Sequence, residues 1–117
     1  DAAIISRADA LVVGADGVTQ ASLQSITELA TKHRLPTMYP SREFVDAGGL
    51  ISYGVSYPHL YYRASAFVDK IFRGAKPGDL SVEQPTKLEL VINLKTAEAL
   101  GLTIPPLFLS RVDEVIR

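Results

Sequence analysis

The sequence predicts an α/β fold, in which a mainly parallel β-sheet is flanked by helices. Short apolar runs rich in β-branched residues alternate with longer stretches of helical periodicity along most of the chain. The length of 117 residues is typical of one compact domain with its own hydrophobic core. We therefore expect strands near 10–14, 36–39, 50–53 and 87–92 to share one sheet.

The predicted elements of the first half are, in order, a helix tail at 1–7, a strand at 10–13, a helix at 20–33, a strand at 37–39, a short helix at 41–47 and a strand at 50–54. The first strand is apolar throughout, so we expect both of its faces to be buried. Thr19 and Ser41 stand at the starts of the helices at 20–33 and 41–47, where a hydroxyl can cap free N–H groups. Gly48 and Gly49 end the second of these helices.

The second half contains the strongest helical pattern of the chain. Its predicted elements are a helix at 58–73, a strand at 87–93, a short helix at 95–100 and a last helix at 107–116. One apolar stripe follows the first of these helices and consists of Leu60, Ala64, Phe67, Val68, Ile71 and Phe72. Pro58 suits the first turn of this helix, and Gly74 suits the position just past its end.

Composition excludes several classes of protein. Twelve basic side chains against thirteen acidic ones leave a formal net charge of -1, which argues against a nucleic-acid surface. The absence of cysteine excludes zinc ribbons, thiol nucleophiles and disulfides. No apolar run has the length of a membrane span, and the chain does not begin with a signal peptide. We expect a fragment of a longer protein, so that any targeting signal would lie outside these residues.

Known catalytic motifs are missing from the sequence. It contains no Gly-x-Ser-x-Gly elbow, no Gly-x-Gly-x-x-Gly loop and no P-loop lysine. Neither His33 nor His59 has a second ligand at the spacing of a metal site. We therefore expect no catalytic residue, no metal and no cofactor.

Polar and aromatic residues follow the predicted strands, where open parallel sheets bind ligands. The candidate ligand-binding residues at these strand ends are Asp16, Gly17, Arg42, Glu43, Tyr53 and Gly54. The segment 93–95 is expected to join them after the fourth strand. Carboxylates, a guanidinium and an aromatic face suit a small amino-acid-like or aromatic ligand.

Each candidate also has a structural interpretation, and both stay open at this point. In that interpretation Asp16 only caps its own turn, and Arg42 with Glu43 forms only a solvated pair on a short helix. Tyr61 and Tyr62 are interpreted as packing residues rather than ligand contacts.

The segment Lys87–Pro105, KLELVINLKTAEALGLTIP, closely resembles the C-terminal signature of ABC-transporter substrate-binding proteins related to tryptophan and tyrosine transport. The segments that resemble the same family in the same order are Leu35-Pro36, Tyr39-Pro40, Phe44-Val45, Ala47–Leu50, Ser52–Gly54, Ile71–Leu80 and Arg111–Ile116. The run from Val91 to Pro105 is the specific part of this resemblance, which covers nearly the whole chain.

The resemblance implies the C-terminal lobe of a type I periplasmic-binding-protein fold, which is Rossmann-like. Residues 1–53 and 87–117 would form this second lobe, and residues 54–86 would carry a hinge crossing and a helix that packs on the first lobe. It also implies a solute-binding component of an importer without catalytic residues. Such a protein acts in the periplasm or another extracytoplasmic space, with a membrane permease as its partner.

One alternative function shares the same bilobal fold, namely the effector-sensing domain of a transcription regulator. The specific match at Val91–Pro105 favours transport. A further expectation concerns the apolar stripe at 58–73. Without its partner lobe, the fragment is expected to cover this stripe by folding it back onto its own lobe or by packing it against another copy of the chain, and a two-fold dimer is the favoured outcome.

Overall fold

A computed structural model gives the fold and describes residues 2–117. The helices are α1 (Ala2–Ile5), α2 (Gly17–Ala21), α3 (Leu23–Lys32), α4 (Arg42–Asp46), α5 (Tyr57–Phe72), α6 (Leu94–Ala99) and α7 (Pro106–Leu109). The strands are β1 (Leu11–Val12), β2 (Thr37–Tyr39), β3 (Ile51–Val55), β4 (Leu88–Asn93) and β5 (Glu114–Ile116). A short 3-10 turn at Pro77–Asp79 follows α5.

The five strands form one sheet in the order β1-β2-β3-β4-β5. The pairs β1/β2, β2/β3 and β4/β5 are parallel. Between β3 and β4 the direction reverses, because Asn93 N donates to Leu50 O at 2.9 Å while Ser56 N faces Lys87 O at 3.5 Å. As residue numbers rise along β3, the numbers of the residues facing them on β4 fall, which defines an antiparallel pair. The predicted mainly parallel α/β sheet is therefore confirmed, with one reversal inside it.

Most of the predicted elements form within one to three residues of their expected bounds. The helix expected at 20–33 begins at Gly17 instead and is interrupted at Ser22. Its cap is Asp16 rather than Thr19, and the Ser41 hydroxyl at the start of α4 makes no capping hydrogen bond. The helix tail expected at 1–7 is found as α1, although Asp1 lies outside the described residues.

Two predictions about the ends of the sheet are wrong. The helix expected at 107–116 ends at Leu109, and Glu114–Ile116 form β5. Two hydrogen bonds fix this strand beside β4, from Asp113 N to Leu90 O and from Leu90 N to the Asp113 carboxylate. This long-range pairing overrides the local helical pattern. The strand β1 was expected to be buried on both faces, but it is an outermost strand of the sheet and Val12 is 80% exposed.

The core lies where α4 covers the sheet. Phe44 and Val45 are fully buried, and the Phe44 ring stacks on that of Tyr39 with 5.0 Å between centroids. Gly49 is required beside them, since a Cβ there would come within 2.6 Å of the Tyr39 ring. The backbone of this turn can approach the stacked rings only because position 49 has no side chain.

A polar junction attaches α6 to the turn that follows α4. The Asn93 side chain caps α6 by accepting a hydrogen bond from Thr96 N. The Thr96 hydroxyl donates to Gly48 O at 2.9 Å, and both polar side chains are buried. Buried polar groups stabilise a fold when they are paired in this way, and they are costly when one partner is removed.

The chain divides into two compact units, one formed by Asp1–Gly54 with Glu89–Arg117 and the other by Val55–Leu88. In the second unit, α5 leaves part of its apolar surface uncovered: Leu60 and Phe67 are half-buried, whereas Val68, Ile71 and Phe72 are exposed, Phe72 by 86%. Within residues 2–117, no helix combines the length and the apolar content needed to cross a bilayer.

We expect Thr96→Val to lower the free energy of unfolding by about 1–3 kcal/mol, because it leaves the Gly48 carbonyl without its donor. Equilibrium denaturation measures the change. The matched control is Thr103→Val, at an exposed position, which should cost much less. Equal effects of the two substitutions would show that the junction does not stabilise the fold.

We expect the isolated 117-residue chain to self-associate through α5. Exposed apolar patches of this kind rarely remain open on monomers, and a two-fold arrangement buries the same helix twice. Sedimentation velocity over a concentration series should show a dimer that the double substitution Val68→Asp and Phe72→Asp abolishes. Leu107→Asp, at an equally exposed apolar position on α7, should leave the dimer intact. A wild-type chain that is monomeric throughout would contradict this expectation.

Candidate functional site at one edge of the sheet

The reversal between β3 and β4 determines which residues share an edge of the sheet. The carboxyl ends of β1, β2 and β3 meet at one edge because these three strands are parallel. The amino ends of β4 and β5 reach the same edge, since Lys87 lies beside Ser56 and Glu114 pairs with Val91. The edge therefore combines two kinds of segment, those that follow β1–β3 and those that precede β4 and β5.

Asp16 follows β1 and caps α2. One carboxylate oxygen, Oδ1, accepts from Val18 N at 2.6 Å and from Thr19 N at 2.9 Å, and the Thr19 hydroxyl accepts from Asp16 N at 3.2 Å. Gly17 is the first residue of the helix, and the space beside it is open. The capping interpretation of Asp16 is therefore confirmed, while ligand contact at Asp16 and Gly17 stays a prediction.

Arg42 begins α4 and forms ion pairs with two carboxylates. Its Nη2 donates to Glu114 Oε1 at 2.7 Å, Nη1 donates to the other oxygen of Glu114, and Nε donates to Asp46 at 3.2 Å. The hydrogen bonds with Glu114 raise the pKa of the Arg42 guanidinium, and those from Arg42 lower the pKa of the Glu114 carboxyl below its ordinary value near 4.5. A bidentate pair of this geometry fixes the start of α4 against β5.

Glu114 is the residue of this edge that sequence reasoning missed. It was expected within the last helix, 72 positions from Arg42, and the two meet only because β5 joins the sheet. The available signal was local: Val115 and Ile116 are β-branched and follow an acidic pair, which suits a short strand as well as a helix.

Three buried polar atoms near the end of β2 have no hydrogen-bond partner among the described residues. They are the hydroxyl oxygens of Ser41 and Ser52 and the Oε2 atom of Glu43. Ser41 is 2% exposed and Ser52 is 1% exposed. Glu43 lies in the first turn of α4, and Ser52 pairs with Tyr39 across the two strands. These atoms lie on or beside the β2–α4 connection.

Tyr53 and Gly54 lie inside β3, which continues to Val55, one residue past the predicted strand at 50–54. The Tyr53 side chain is 48% exposed, so its ring is accessible to a ligand or partner. Gly54 touches the β2–α4 connection so closely that a Cβ would lie 1.8 Å from Pro40 O. The close approach explains the glycine by packing, and ligand contact at both positions stays a prediction.

The segment 93–95 does not join the other candidates. Asn93 lies beside Leu50, at the amino end of β3, because β4 runs antiparallel to β3. This part of the predicted edge is therefore wrong. The alternation of apolar residues in β4 reveals a strand but carries no information about its direction.

A second set of polar residues belongs to the unit Val55–Leu88. A groove of about 220 Å³ lies between α5 and the segment 83–86, lined by His59, Arg63, Phe67, Glu83 and Gln84 among others. Arg63 donates two hydrogen bonds to Glu83 through Nη2, at 2.6 and 2.7 Å, which raise the pKa of Arg63 and lower that of Glu83. Within residues 2–117, no group of three or more His, Cys, Asp or Glu side chains could hold a metal ion.

Comparison with known proteins identifies the family. The model of the family described as ABC transporter substrate binding protein matches residues 2–116. The chain belongs to this family. The resemblance seen in the sequence is thereby confirmed, together with the type of fold that it implied.

Individual relatives agree with this assignment. A tyrosine-binding protein of Clostridioides difficile is 25% identical over 99 residues, which is 85% of this chain and 29% of that protein. The crystal structure of an ABC domain in complex with L-Trp from Streptococcus pneumonia is 27% identical, with a TM-score of 0.86 over 97% of this chain and 39% of that one. A conserved domain protein from Vibrio cholerae is also 27% identical, with a TM-score of 0.87 over 97% of this chain and 38% of that one.

The chain therefore spans less than two-fifths of the length of each of these relatives. Its unit boundaries, at Gly54 and Glu89, lie within two residues of the lobe boundaries expected from the sequence. The assignment of these units to two different lobes stays a prediction.

The Arg42–Glu114 pair leads to a prediction about pH. Because the folded pKa of Glu114 is lowered, its contribution to stability is present above the unfolded value near 4.5 and is lost as pH falls through the folded value. We expect Glu114→Gln to lower the denaturant concentration at the midpoint of unfolding at neutral pH. The difference from wild type should shrink as pH falls below about 4.5.

The control for this measurement is Glu98→Gln, which removes an exposed carboxylate from α6. A gap between wild type and Glu114→Gln that is the same at neutral and acidic pH would contradict the pairing of Arg42 with Glu114.

Proposed function

We propose that this chain is part of the solute-binding component of an ABC importer and that it binds a small amino-acid-like or aromatic ligand. The observation that carries the proposal is the family match, which extends over residues 2–116. The relatives that bind tyrosine or contain L-Trp support an aromatic amino acid as the ligand. The first probes are therefore L-tryptophan and L-tyrosine.

In this proposal the unit formed by residues 1–54 and 89–117 is one lobe of a two-lobed protein, and residues 55–88 belong with the other lobe. This division is supported by the length of the relatives, of which the chain covers 29% and 39%. Most of a second lobe would then lie in sequence beyond these 117 residues. Ligand contacts come from the edge described above, with Asp16, Gly17, Arg42, Glu43, Tyr53 and Gly54 as candidates.

The same proposal includes a location and a partner. A solute-binding component delivers its ligand to a membrane permease, so the protein would act in the periplasm or another extracytoplasmic space. It would carry out no chemical step of its own, since a binding protein captures and releases its ligand unchanged. The near-neutral charge balance supports a small-molecule ligand over a nucleic acid.

The alternative function, effector sensing in a transcription regulator, has less support. The matching family is one of transport proteins, and neither the tyrosine-binding relative nor the L-Trp complex is described as a regulator. A DNA-binding segment elsewhere in the same protein would be needed for the regulator function.

Titration calorimetry of the two-lobed protein with L-tryptophan and L-tyrosine tests the proposal. We expect binding of at least one of them, and Tyr53→Ala should weaken it by about tenfold to a hundredfold if the half-exposed ring stacks on the ligand. The matched control is Phe108→Ala, which removes a partly exposed ring from α7. Unchanged affinity in Tyr53→Ala would assign Tyr53 to packing, and no binding of either amino acid would contradict the proposed ligand.

A further inference from the structure

We propose that Glu43 is the residue with which this lobe selects a positively charged group on the ligand, an ammonium group in the case of an amino acid. The inference rests on the proposed function and deepens it, because it assigns one chemical role to one residue of the edge. It starts from the buried polar atoms near the end of β2.

The Glu43 carboxylate has a buried oxygen that no described residue satisfies. Its Oε2 atom is excluded from solvent, and so are the unpartnered hydroxyls of Ser41 and Ser52. A carboxylate oxygen without a hydrogen-bond donor carries a desolvation cost that folded proteins rarely retain without a reason. Three such atoms on or beside one short connection indicate a group that arrives from outside the chain.

The other charged groups of this edge already have partners. Arg42, the adjacent cation, is engaged by Glu114 and Asp46. Oxygen Oδ1 of Asp16 accepts two backbone hydrogen bonds, and Asp113 accepts one from Leu90 N. Among the described residues of this edge, Glu43 therefore has the carboxylate whose charge no ion pair or hydrogen bond offsets.

The chemistry of this arrangement fits an ammonium group. Such a group has three donors and no acceptor, so it needs oxygen atoms around it. The Glu43 carboxylate supplies charge-assisted acceptors. The hydroxyls of Ser41, on the same β2–α4 connection, and of Ser52, on the strand paired with the end of β2, are uncharged acceptors. An anionic group would instead meet the uncompensated charge of Glu43, while the adjacent cation Arg42 is already paired with Glu114 and Asp46.

The test uses three probes that share an indole ring, measured by calorimetry on the two-lobed protein. L-tryptophan has both an ammonium and a carboxylate group, tryptamine has only the ammonium group, and indole-3-propionate has only the carboxylate. We expect Glu43→Gln to weaken L-tryptophan and tryptamine by about tenfold to a hundredfold and to leave indole-3-propionate unchanged or tighter.

Two further variants complete the experiment. Glu43→Asp keeps the charge, so it should retain part of the preference for probes with an ammonium group. Glu98→Gln removes an exposed carboxylate from α6, which begins at the opposite edge of the sheet from the candidate site. It should change none of the three affinities. The thermal unfolding of each variant verifies that it is folded.

The outcomes distinguish the inference from the function on which it rests. If the wild-type protein binds the indole probes and Glu43→Gln weakens all three equally, or none of them, the assignment of Glu43 is overturned and the proposed function stands. If the wild-type protein binds neither these three probes nor L-tyrosine, the proposed ligand class is overturned and the assignment of Glu43 falls with it. If it binds L-tyrosine alone, the same comparison is made with L-tyrosine, tyramine and 3-(4-hydroxyphenyl)propionate.

Discussion

A buried hydrogen-bonded junction between α6 and the turn after α4 holds β4 and β5 in the sheet. Asn93 ends β4 and caps α6, and Thr96 ties the same helix to Gly48. Val91, Ile92 and Ala97, which flank these two polar residues, are almost completely buried. The segment that carries the family resemblance therefore has a structural role in this fold. Its polar residues fix the start of α6, and its apolar strand residues are buried on both faces of the sheet.

The direction of β4 has a consequence for the functional edge. Because β4 runs opposite to β3, the amino ends of β4 and β5 lie at the edge where β1–β3 end. Glu114 thereby reaches Arg42, and the pair joins β5 to the first turn of α4. Arg42, the cation of the candidate site, is paired with Glu114 and Asp46, and Glu43 beside it retains an unpaired buried oxygen.

Local signals in the sequence were sufficient for most of the elements. The apolar stripe of α5, the short runs between turn residues at β2 and β3, and the glycines after α4 and α5 each determine their structure over a few residues, and these elements were predicted. The helix expected at 107–116 failed because β5 forms through hydrogen bonds with Leu90, far away in the chain. Apolar alternation identified β4 as a strand, but its direction depends on the path of the chain through residues 55–88.

In the candidate site, too, the residues set by local sequence could be predicted, and those set by long-range contacts could not. Asp16, Arg42 and Tyr53 could be named from their positions after apolar runs, since parallel strands end at a common edge. Glu114 could not be named in this way, because its partner lies 72 positions away. The unpaired state of Glu43 was equally invisible, since burial without a partner depends on how α4 packs on the sheet.

The central claim is that the ligand binds at the edge where β1–β3 end, and not at the opposite edge where α6 begins. Hydrogen–deuterium exchange of the protein with both proposed lobes, with and without L-tryptophan, tests it most directly. The account predicts that the ligand slows exchange at residues 16–18, 41–43 and 53–54 and leaves residues 94–96 unchanged. Protection confined to 94–96 and the facing turn at 47–49, with no change at 41–43, would contradict it.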